Sequence, residues 1–485
     1  MGFKEDEDFA SYLTMGAHAA AAIAHDLEMC HGHKIVELER YARANKIWAT
    51  KVKRMRLPDL LCVRCGRRFE AKGKTVLALR LSDSATPGRE WWAGGMRPND
   101  VFAFVRVSVE GTNAQVGQVV YTSLEALLAA KDAVIGEQRK AVSAGAEKAV
   151  SWPAWKSSCA GTVEEATPDE IVIRKADNGR LQRYRNHRKW PQWHLHLQVG
   201  QSFGPGDMIV SCVAPAAVDC AGEVWDWAAD LESDRTDDRF AAIKAARWVN
   251  SGQADEALRA IARDPDADWR PSLEAAASLS IRDSSFFSDI VSHAMNGARD
   301  GEAMEAVFVL TELASREAAE ALEAIASNAT YPSEVRAAAV WGLGVGAACE
   351  PGRLVPFLAD PDDFVALHAS AALPTPMTAG IKAELQEWMG AGDVRQAASA
   401  AHALARGGEI EVLLQHSQAG TDTTRALALR ALGDLPRQEV EPHIAGAEFC
   451  VMETLQTLWI REQDWLRGPL TDGGLDVLDR QRLRL

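Results

Sequence analysis

Apolar positions near the start of the chain recur at three- and four-residue steps, which is the spacing of one face of an amphipathic helix. Residues 6–30 and 34–45 both carry this pattern, so the sequence predicts two helices separated by His31-Gly32-His33. Short apolar runs then predict strands at residues 47–56, 60–63, 68–72, 76–81, 101–109 and 116–121. A serine N-cap opens a closing helix at residues 123–135. This order predicts an α/β domain over residues 1–140.

Short strands and turn signals replace this pattern over residues 141–225. Turns are indicated by Asp177-Asn178-Gly179 and Gly204-Pro205-Gly206-Asp207, because Gly, Asn and Pro favour tight reversals of the chain. The segment therefore predicts a small β-rich module, either a β-barrel or a sandwich.

Alanine-rich helical segments repeat from residue 235 to 440, and each of them closes on a leucine. These leucines stand at positions 279, 313, 343, 373, 404 and 432, which are 28 to 34 residues apart. A fixed period of this length predicts an all-α solenoid of stacked helix pairs. The segments resemble HEAT repeats of a short kind, with Glu334-Val335-Arg336-Ala337-Ala338-Ala339 as the best match. Residues 441–485 predict a C-terminal helical tail.

Charge is distributed unevenly along the chain. The whole sequence carries a net charge of −15, which by itself argues against nucleic-acid binding. Residues 34–80 contain 14 Lys and Arg against 4 Asp and Glu, a net of +10 that leaves −25 for the remainder. Such a segment predicts a phosphate-facing surface with DNA as the partner, and a solvated basic face is the alternative. The acidic solenoid is better suited to a protein partner, or to another part of its own chain.

The composition also bears on where the chain works. No apolar run reaches the ~20 residues that a membrane helix needs, so we expect no membrane partner. The acidic start, Glu5-Asp6-Glu7-Asp8, is unlike a secretory signal. Eight cysteines in 485 residues do not make a disulfide framework. We therefore expect a cytoplasmic location.

One stretch concentrates the residue types that phosphodiester cleavage requires. Pro58-Asp59 is followed, after about one strand and a turn, by Glu70-Ala71-Lys72. Two carboxylates can bring a divalent cation to a phosphate, and a lysine beside them can steady the attacking water. The other Pro-Asp pairs, at positions 168–169, 265–266 and 361–362, are not followed at a suitable distance by an acidic-x-Lys. The alternative is a structural hairpin with incidental charges.

This arrangement resembles the PD-(D/E)xK nuclease superfamily, whose fold is that of the restriction endonucleases. The resemblance implies an α/β core in which Asp59 and Glu70 bind Mg²⁺ or Mn²⁺ and Lys72 assists the water. Since many nucleases of this superfamily dimerise to cut both strands, a homodimer is a further expectation.

Supporting residues are also implied by the resemblance. An early acidic residue often lies near the metal in this superfamily, and either Glu37 or Glu39 could take that role here. A surface glutamate paired with a neighbouring arginine is the alternative for each. Lys74 is the reserve lysine, since it follows Lys72 by two residues.

Basic residues interleaved with aromatic ones predict contacts to nucleic acid. Arginines accompany Tyr184 and Trp190 over residues 180–190, a pattern suited to backbone phosphates and base stacking. An exposed basic edge strand that opposes aggregation is the alternative. With the basic segment included, the predicted contacts are Arg54, Arg56, Lys74, Arg183, Arg185, Arg188 and Trp190.

The same stretch contains a second metal-binding pattern. Cys62-Val63-Arg64-Cys65-Gly66 has the spacing of a zinc-ribbon knuckle, in which two thiolates on a tight turn face one ion. A complete Zn²⁺ site needs a second pair of ligands, and the nearby candidates are Cys30, His31 and His33. Two cysteines on a hairpin turn with no metal are the alternative.

These patterns lead to a metal-dependent DNA endonuclease as the main hypothesis, with a role in bacterial genome defence or DNA processing and a solenoid that binds a partner. The second hypothesis is a non-enzymatic scaffold that binds nucleic acid through a zinc knuckle or a degenerate nuclease domain. A lyase of the HEAT-repeat phycobilin class has only the repeats in its favour.

Overall fold

The computed structural model of the protein falls into two compact units, residues 1–282 and 283–485. The structure describes residues 6–38, 57–84, 96–110, 113–136, 147–186, 193–220, 222, 225–249, 254–264, 268–295, 301–345, 350–444 and 451–455.

The first unit is a mixed α and β structure. Its helices are α1 (Asp6–His31), α2 (Leu124–Ala129), α3 (Trp227–Leu231), α4 (Thr236–Ala245), α5 (Asp255–Arg263) and α6 (Trp269–Ser280). Its strands are β1 (Ile35–Glu37), β2 (Leu60–Cys62), β3 (Arg68–Lys74), β4 (Arg80–Ser84), β5 (Val101–Glu110), β6 (Asn113–Ser123), β7 (Val134–Ile135), β8 (Glu147–Ser151), β9 (Ala154–Lys156), β10 (Gly161–Ala166), β11 (Glu170–Lys175), β12 (Leu181–Arg185), β13 (His194–Leu195), β14 (Ser202–Phe203) and β15 (Met208–Ser211).

A five-stranded mixed sheet organises this unit, with strand order β1-β2-β3-β5-β6. Strands β1, β2 and β3 form an antiparallel meander, β5 runs parallel to β3, and β6 returns antiparallel to β5. Side chains alternate between the two faces of the sheet. Helix α1 packs on one face, where Ile23 and Leu27 contact a core that includes Leu60 and Phe69.

The opposite face of the sheet has two different coverings. Near the β1 edge, Val36 and Leu61 pack against Ala241 and Ala245 of α4. Farther along the sheet, Phe102 and Phe104 belong to a core that also contains Val150, Trp152 and Met208. Asp59, which precedes β2, and Glu70 of β3 lie on this face too, because their neighbours Leu60 and Phe69 face α1.

The predicted second helix is wrong where the structure describes it. Ile35–Glu37 is a strand that pairs antiparallel with β2, so that Val36 lies opposite Leu61. The pairing explains the difference, because β-branched Ile35 and Val36 gain more from a ladder and a shared core than from an isolated helical turn. Residues 39–45 of the predicted helix and the predicted strand at 47–56 lie outside the described part of the chain.

The predicted β-barrel over residues 141–225 does not form among the described strands. They lie in open sheets of order β12-β11-β10-β14, β13-β15-β9 and β4-β8-β7. The first two sheets share a core that includes Val163, Ile173, Phe203 and Ile209, which is a sandwich-like packing. Because Met208 also packs with Phe104 of the main sheet, this module shares its core with the first strands.

A buried ion-pair cluster joins the sheet to the helices that follow it. The Arg68 guanidinium on β3 donates to both carboxylate oxygens of Asp100 at 2.9 and 2.5 Å, and to Asp238 of α4 at 2.7 Å. The three side chains are 2 to 5% exposed. Arg97 adds contacts to Asp238 and to Asp230 of α3 at 2.9 and 2.7 Å. Arg235 also pairs with Asp238, at 3.3 Å, so the cluster contains three arginines and three aspartates.

We expect Arg68→Met to lower the free energy of unfolding of the first unit by about 3–5 kcal/mol, because two buried carboxylates lose their shared partner. Urea denaturation monitored by tryptophan fluorescence measures the change. The control is Arg174→Met, which removes an exposed pair with Glu164 on β10 and should change little. Equal losses in the two variants would contradict a special role for the cluster.

The second unit is an array of helices in its described residues. They are α7 (Phe287–Met295), α8 (Glu302–Leu313), α9 (Arg316–Ser327), α10 (Ser333–Val345), α11 (Asp363–Ala372), α12 (Ala379–Ala391), α13 (Val394–Arg406), α14 (Ile410–Ala419), α15 (Asp422–Gly433) and α16 (Arg437–Val440), with 3₁₀ helices at Ser284–Phe286, Pro351–Ala359 and Glu441–His443. The prediction of a helical-repeat C-terminal half is confirmed. None of the described helices combines the length and the apolar character that a membrane crossing requires.

Gly342 tests whether small residues let these helices stack closely. A Cβ at this position of α10 would lie 2.3 Å from Thr311 Oγ1 of α8 and 3.3 Å from a Leu322 methyl of α9. We therefore expect Gly342→Ala to lower the melting temperature of the second unit despite the higher helix propensity of alanine. In the control Gly390→Ala, nothing lies within 4 Å of the new methyl, so stability should stay level or rise by up to ~1 kcal/mol. A stabilised Gly342→Ala would refute the close packing.

Candidate functional site

Asp59 and the Glu70-Ala71-Lys72 segment are brought together by the β2–β3 hairpin. Leu60 pairs with Phe69 and Leu61 with Arg68, and continuing this register places Asp59 opposite Glu70. The Asp59 Oδ2 atom accepts a hydrogen bond from the backbone N–H of Ala71 at 2.6 Å. Since Leu60 and Phe69 face helix α1, alternation places Asp59 and Glu70 on the other face. The two carboxylates therefore share one side of the sheet.

Two lysines continue along the same face of β3. Lys72 forms an ion pair with Glu70, and the two side chains are 31 and 20% exposed. Burial lowers the pKa of Lys74 to about 8, and the nearby charges of Lys72 and Arg80 act in the same direction. The strand thus places an acid and two amines in a row, one of them with a pKa close to neutrality.

The pKa of Asp59 is shifted by burial and by the charged side chains around it. Burial and the nearby charge of Glu70 raise the pKa of Asp59 to about 7, while Lys72 and the Ala71 N–H oppose the rise. Glu37 on β1 adds a smaller contribution that also raises it. The β1 end lies beside Asp59, whose carbonyl accepts a hydrogen bond from the Leu38 N–H at 2.8 Å. The structure thus brings Asp59, Glu70 and Lys72 together. The predicted support by Glu37 is not borne out by the register, because Glu37 lies between Val36 and Leu38, which face α4, and its side chain therefore points to the α1 face. Glu39 lies outside the described residues.

The predicted nucleic-acid contacts are only partly placed. Lys74 lies on β3, and Arg183 and Arg185 lie on β12, an edge strand of a different sheet. Both arginines are exposed and pair with Glu170, at 2.7 and 3.5 Å. These pairs also fit the alternative of a charged edge strand. The remaining predicted contacts, Arg54, Arg56, Arg188 and Trp190, lie outside the described part of the chain.

A cluster of one histidine and three cysteines lies at the turn of the same hairpin. The ligand atoms of His33, Cys62, Cys65 and Cys220 all lie within 4.8 Å of one another. His33 and Cys62 are buried, and Cys65 and Cys220 are partly buried. We call these four residues the His-Cys cluster.

Of the three further ligands that the sequence predicts beside Cys62 and Cys65, only one belongs to the His-Cys cluster. His33 joins it, whereas His31 contacts Asp219 at 2.8 Å and Cys30 is exposed at the end of α1. Cys220 was missed by sequence reasoning, because it stands alone far along the chain. The signal that points to it is its backbone N–H, which donates to the His31 carbonyl at 2.9 Å, and this contact is visible only in the fold.

Comparisons with known proteins add little to this geometry. No protein-family model matches the chain, and no curated protein matches it. The complex of CpcE and CpcF of phycocyanin lyase from Nostoc sp. PCC7120 is 19% identical, covers 48% of this chain and 93% of its own, and has a TM-score of 0.21. Human deoxyhypusine hydroxylase in complex with glycerol is 18% identical, with 46 and 88% covered and a TM-score of 0.18.

A designed armadillo repeat protein is similar at 16% identity, with 48% of this chain and 96% of that chain covered and a TM-score of 0.13. TM-scores this low support no argument about this chain. The function must therefore be argued from its own residues.

We expect Asp59→Asn to raise the stability of the protein when no divalent cation is added. Ionising Asp59 in the folded state is unfavourable because its pKa lies at about 7, above the value near 3.9 of an unfolded chain. The wild type therefore loses stability as the pH rises from about 4 through 7, and the asparagine variant escapes this loss while still accepting the Ala71 N–H.

The advantage of Asp59→Asn should be small at pH 4 and grow to about 4 kcal/mol at pH 8, since a shift of about three pKa units is worth ~1.4 kcal/mol per unit. Thermal denaturation followed by circular dichroism measures it. Asp169→Asn is the control, since that aspartate also follows a proline and is exposed. A variant that is less stable than the wild type at pH 8 would show that neither burial nor the charge of Glu70 raises the pKa of Asp59.

Proposed function

We propose that the protein is a metal-dependent nuclease that cleaves DNA phosphodiester bonds at a centre formed by Asp59, Glu70 and Lys72. One observation carries the proposal: the Ala71 N–H donates to the Asp59 carboxylate at 2.6 Å. This bond holds Asp59, the residue before β2, against an acid-x-lysine segment of β3, on the face of the sheet opposite α1. The finer assignment, a restriction-endonuclease-like core of the PD-(D/E)xK type, is part of the same proposal.

The donor set suits a hard divalent cation. Mg²⁺ prefers carboxylate oxygens supplemented by water and substrate phosphate, and it uses only one or two carboxylates from the protein. Asp59 and Glu70 would hold the cation. When bound, Mg²⁺ or Mn²⁺ would polarise the phosphoryl group and stabilise the negative charge that develops on it.

The side chains of the protein supply orientation and proton transfer. The Ala71 N–H donates to one Asp59 oxygen and so fixes the orientation of the carboxylate. Lys72 holds its positive charge beside Glu70, where it can stabilise an anionic transition state. Lys74 has a pKa of about 8, so part of its population is neutral near pH 8 and can accept a proton from the attacking water.

DNA as the substrate is inferred from charge. The segment that contains Asp59 and Glu70, residues 34–80, carries a net charge of +10 in a chain of net −15, and a basic segment attracts a polyanion. The helical unit would contact a protein partner, and the exposed arginines of β12 would contact the nucleic-acid backbone. A role in bacterial genome defence and a homodimeric state extend this proposal from the resemblance alone.

The second candidate function is a scaffold that binds nucleic acid without cleaving it. The His-Cys cluster favours it, because a closed Cys-His site at a hairpin turn is typical of structural zinc domains. In that case Asp59 and Glu70 would belong to a degenerate nuclease domain without activity, or would only stabilise the hairpin.

We expect the purified protein to nick or cut plasmid DNA when Mg²⁺ or Mn²⁺ is added. The variants Asp59→Asn and Glu70→Gln should each lower the rate by at least about 100-fold, because each loses one of the two negatively charged ligands. Lys72→Met should show a comparable loss. The readout is the rate of supercoiled plasmid loss on agarose gels at pH 8.

Asp169→Asn is the matched control and should cleave like the wild type. Because Asp59→Asn is expected to fold at least as stably as the wild type, its loss of activity cannot be ascribed to unfolding. Equal activity in all variants would mean a contaminant or another site. A wild type that binds DNA in fluorescence anisotropy but never cleaves it would favour the scaffold.

A further inference from the structure

We infer that His33, Cys62, Cys65 and Cys220 form a structural zinc site that fastens the β2–β3 hairpin to the segment leading into α3. The inference rests on the geometry of these four residues and does not depend on nuclease activity.

The distances in the cluster match a tetrahedral zinc ion. With Zn–S of about 2.3 Å and Zn–N of about 2.0–2.1 Å, neighbouring ligand atoms in a tetrahedron lie about 3.5–3.8 Å apart. The His33 Nδ1 atom lies 3.7 Å from the Cys65 Sγ atom, and all four ligand atoms lie within 4.8 Å of one another. Small side-chain adjustments would bring every ligand to bonding distance.

The histidine is oriented for metal binding by its other nitrogen. The His33 Nε2 atom lies 2.5 Å from the carbonyl oxygen of Val218. A carbonyl can only accept, so Nε2 carries the hydrogen and the Nδ1 lone pair faces the sulfur atoms. Metal-bound histidines commonly donate their second N–H to a carbonyl or carboxylate in this way. The ring also packs edge-on against Phe69, at 5.2 Å between centroids.

The turn of the hairpin has the backbone geometry of a zinc knuckle. The Gly66 N–H donates to the Cys62 carbonyl at 2.9 Å, which closes the turn around Val63 and Arg64. Gly66 has φ of +71°, and a Cβ there would lie 2.2 Å from the Trp225 ring. Only glycine fits both conditions, so the turn is fixed with its two cysteines next to each other.

The fourth ligand arrives from a distant segment that is already anchored beside the knuckle. Arg67 donates to the Ala217 carbonyl at 2.6 Å, and the Trp225 N–H donates to the Arg64 carbonyl at 2.9 Å. These bonds hold the chain on both sides of Cys220 against the turn. The thiol of partly buried Cys220 thereby lies within 4.8 Å of the other three ligand atoms.

The ligand types select the metal. Three thiolates and one imidazole form a soft donor set that suits Zn²⁺ and is unsuited to Mg²⁺ or Ca²⁺. Four protein ligands leave no open position, which distinguishes a structural site from a catalytic one. His33 is 4% exposed and Cys62 is fully buried, so the site would stabilise the fold and not contact a substrate. The alternative, a redox-active cysteine pair, would use only two of the three cysteines and would not require the histidine.

The test begins with the metal content of the full-length protein, purified under reducing conditions without chelators. Inductively coupled plasma mass spectrometry should find about one zinc per chain. Titration with an organomercurial should release that zinc as three thiols are modified. Replacement by Co²⁺ should give the visible ligand-field bands of tetrahedral cobalt with thiolate charge-transfer bands.

Variants then assign the ligands. Cys220→Ser should lose most of the bound zinc, whereas Cys30→Ser, an exposed cysteine at the end of α1, should keep the wild-type content. If Cys220→Ser does not fold, His33→Cys gives a second route, since a four-cysteine site keeps zinc but shifts the cobalt charge-transfer bands. Wild-type protein that contains no zinc and gives no cobalt spectrum would overturn the inference. So would zinc that is retained unchanged in a folded Cys220→Ser.

Discussion

The structure of the first unit depends on the charge of Arg68, which lies almost fully buried between Asp100 and Asp238. A buried guanidinium is tolerated only when carboxylates surround it, and here one of them comes from the start of β5 and the other from α4. The contact therefore fixes three parts of the chain relative to one another. It also lies on β3, two residues before Glu70, so the strand with the acidic centre cannot shift its register without breaking the cluster.

The local parts of this arrangement could be predicted from the sequence, because they depend on neighbours in the chain. The spacing of Asp59 and Glu70 fits a hairpin, Gly66 marks its turn, and the period of the closing leucines gives the helical array. The first two patterns depend on residues close together in the chain, and the third repeats many times, so each can be recognised without the fold. At Ile35–Glu37 the local pattern predicted a helix, but pairing with β2 makes this short segment a strand.

The long-range parts left no readable signal. Cys220 is a lone cysteine in the sequence, and Asp238 is one of 68 acidic residues, so nothing local shows that they meet His33 or Arg68. The predicted barrel failed for the same reason, since alternation shows that a segment is a strand but not which strand it pairs with. Strands β8 and β15 instead join sheets and cores that include the earlier part of the chain.

The late positions of Cys220 and Asp238 have a consequence for synthesis of the chain. The hairpin and its arginine are complete once residue 74 has been made, but their partners from the segment before α3 and from α4 follow more than 140 residues later. Until then the growing chain has Asp100 but not Asp238 for Arg68, and His33 but not Cys220 for the thiols of Cys62 and Cys65. A fragment that ends near residue 140 would remain in that condition, so the smallest piece able to fold extends through α4.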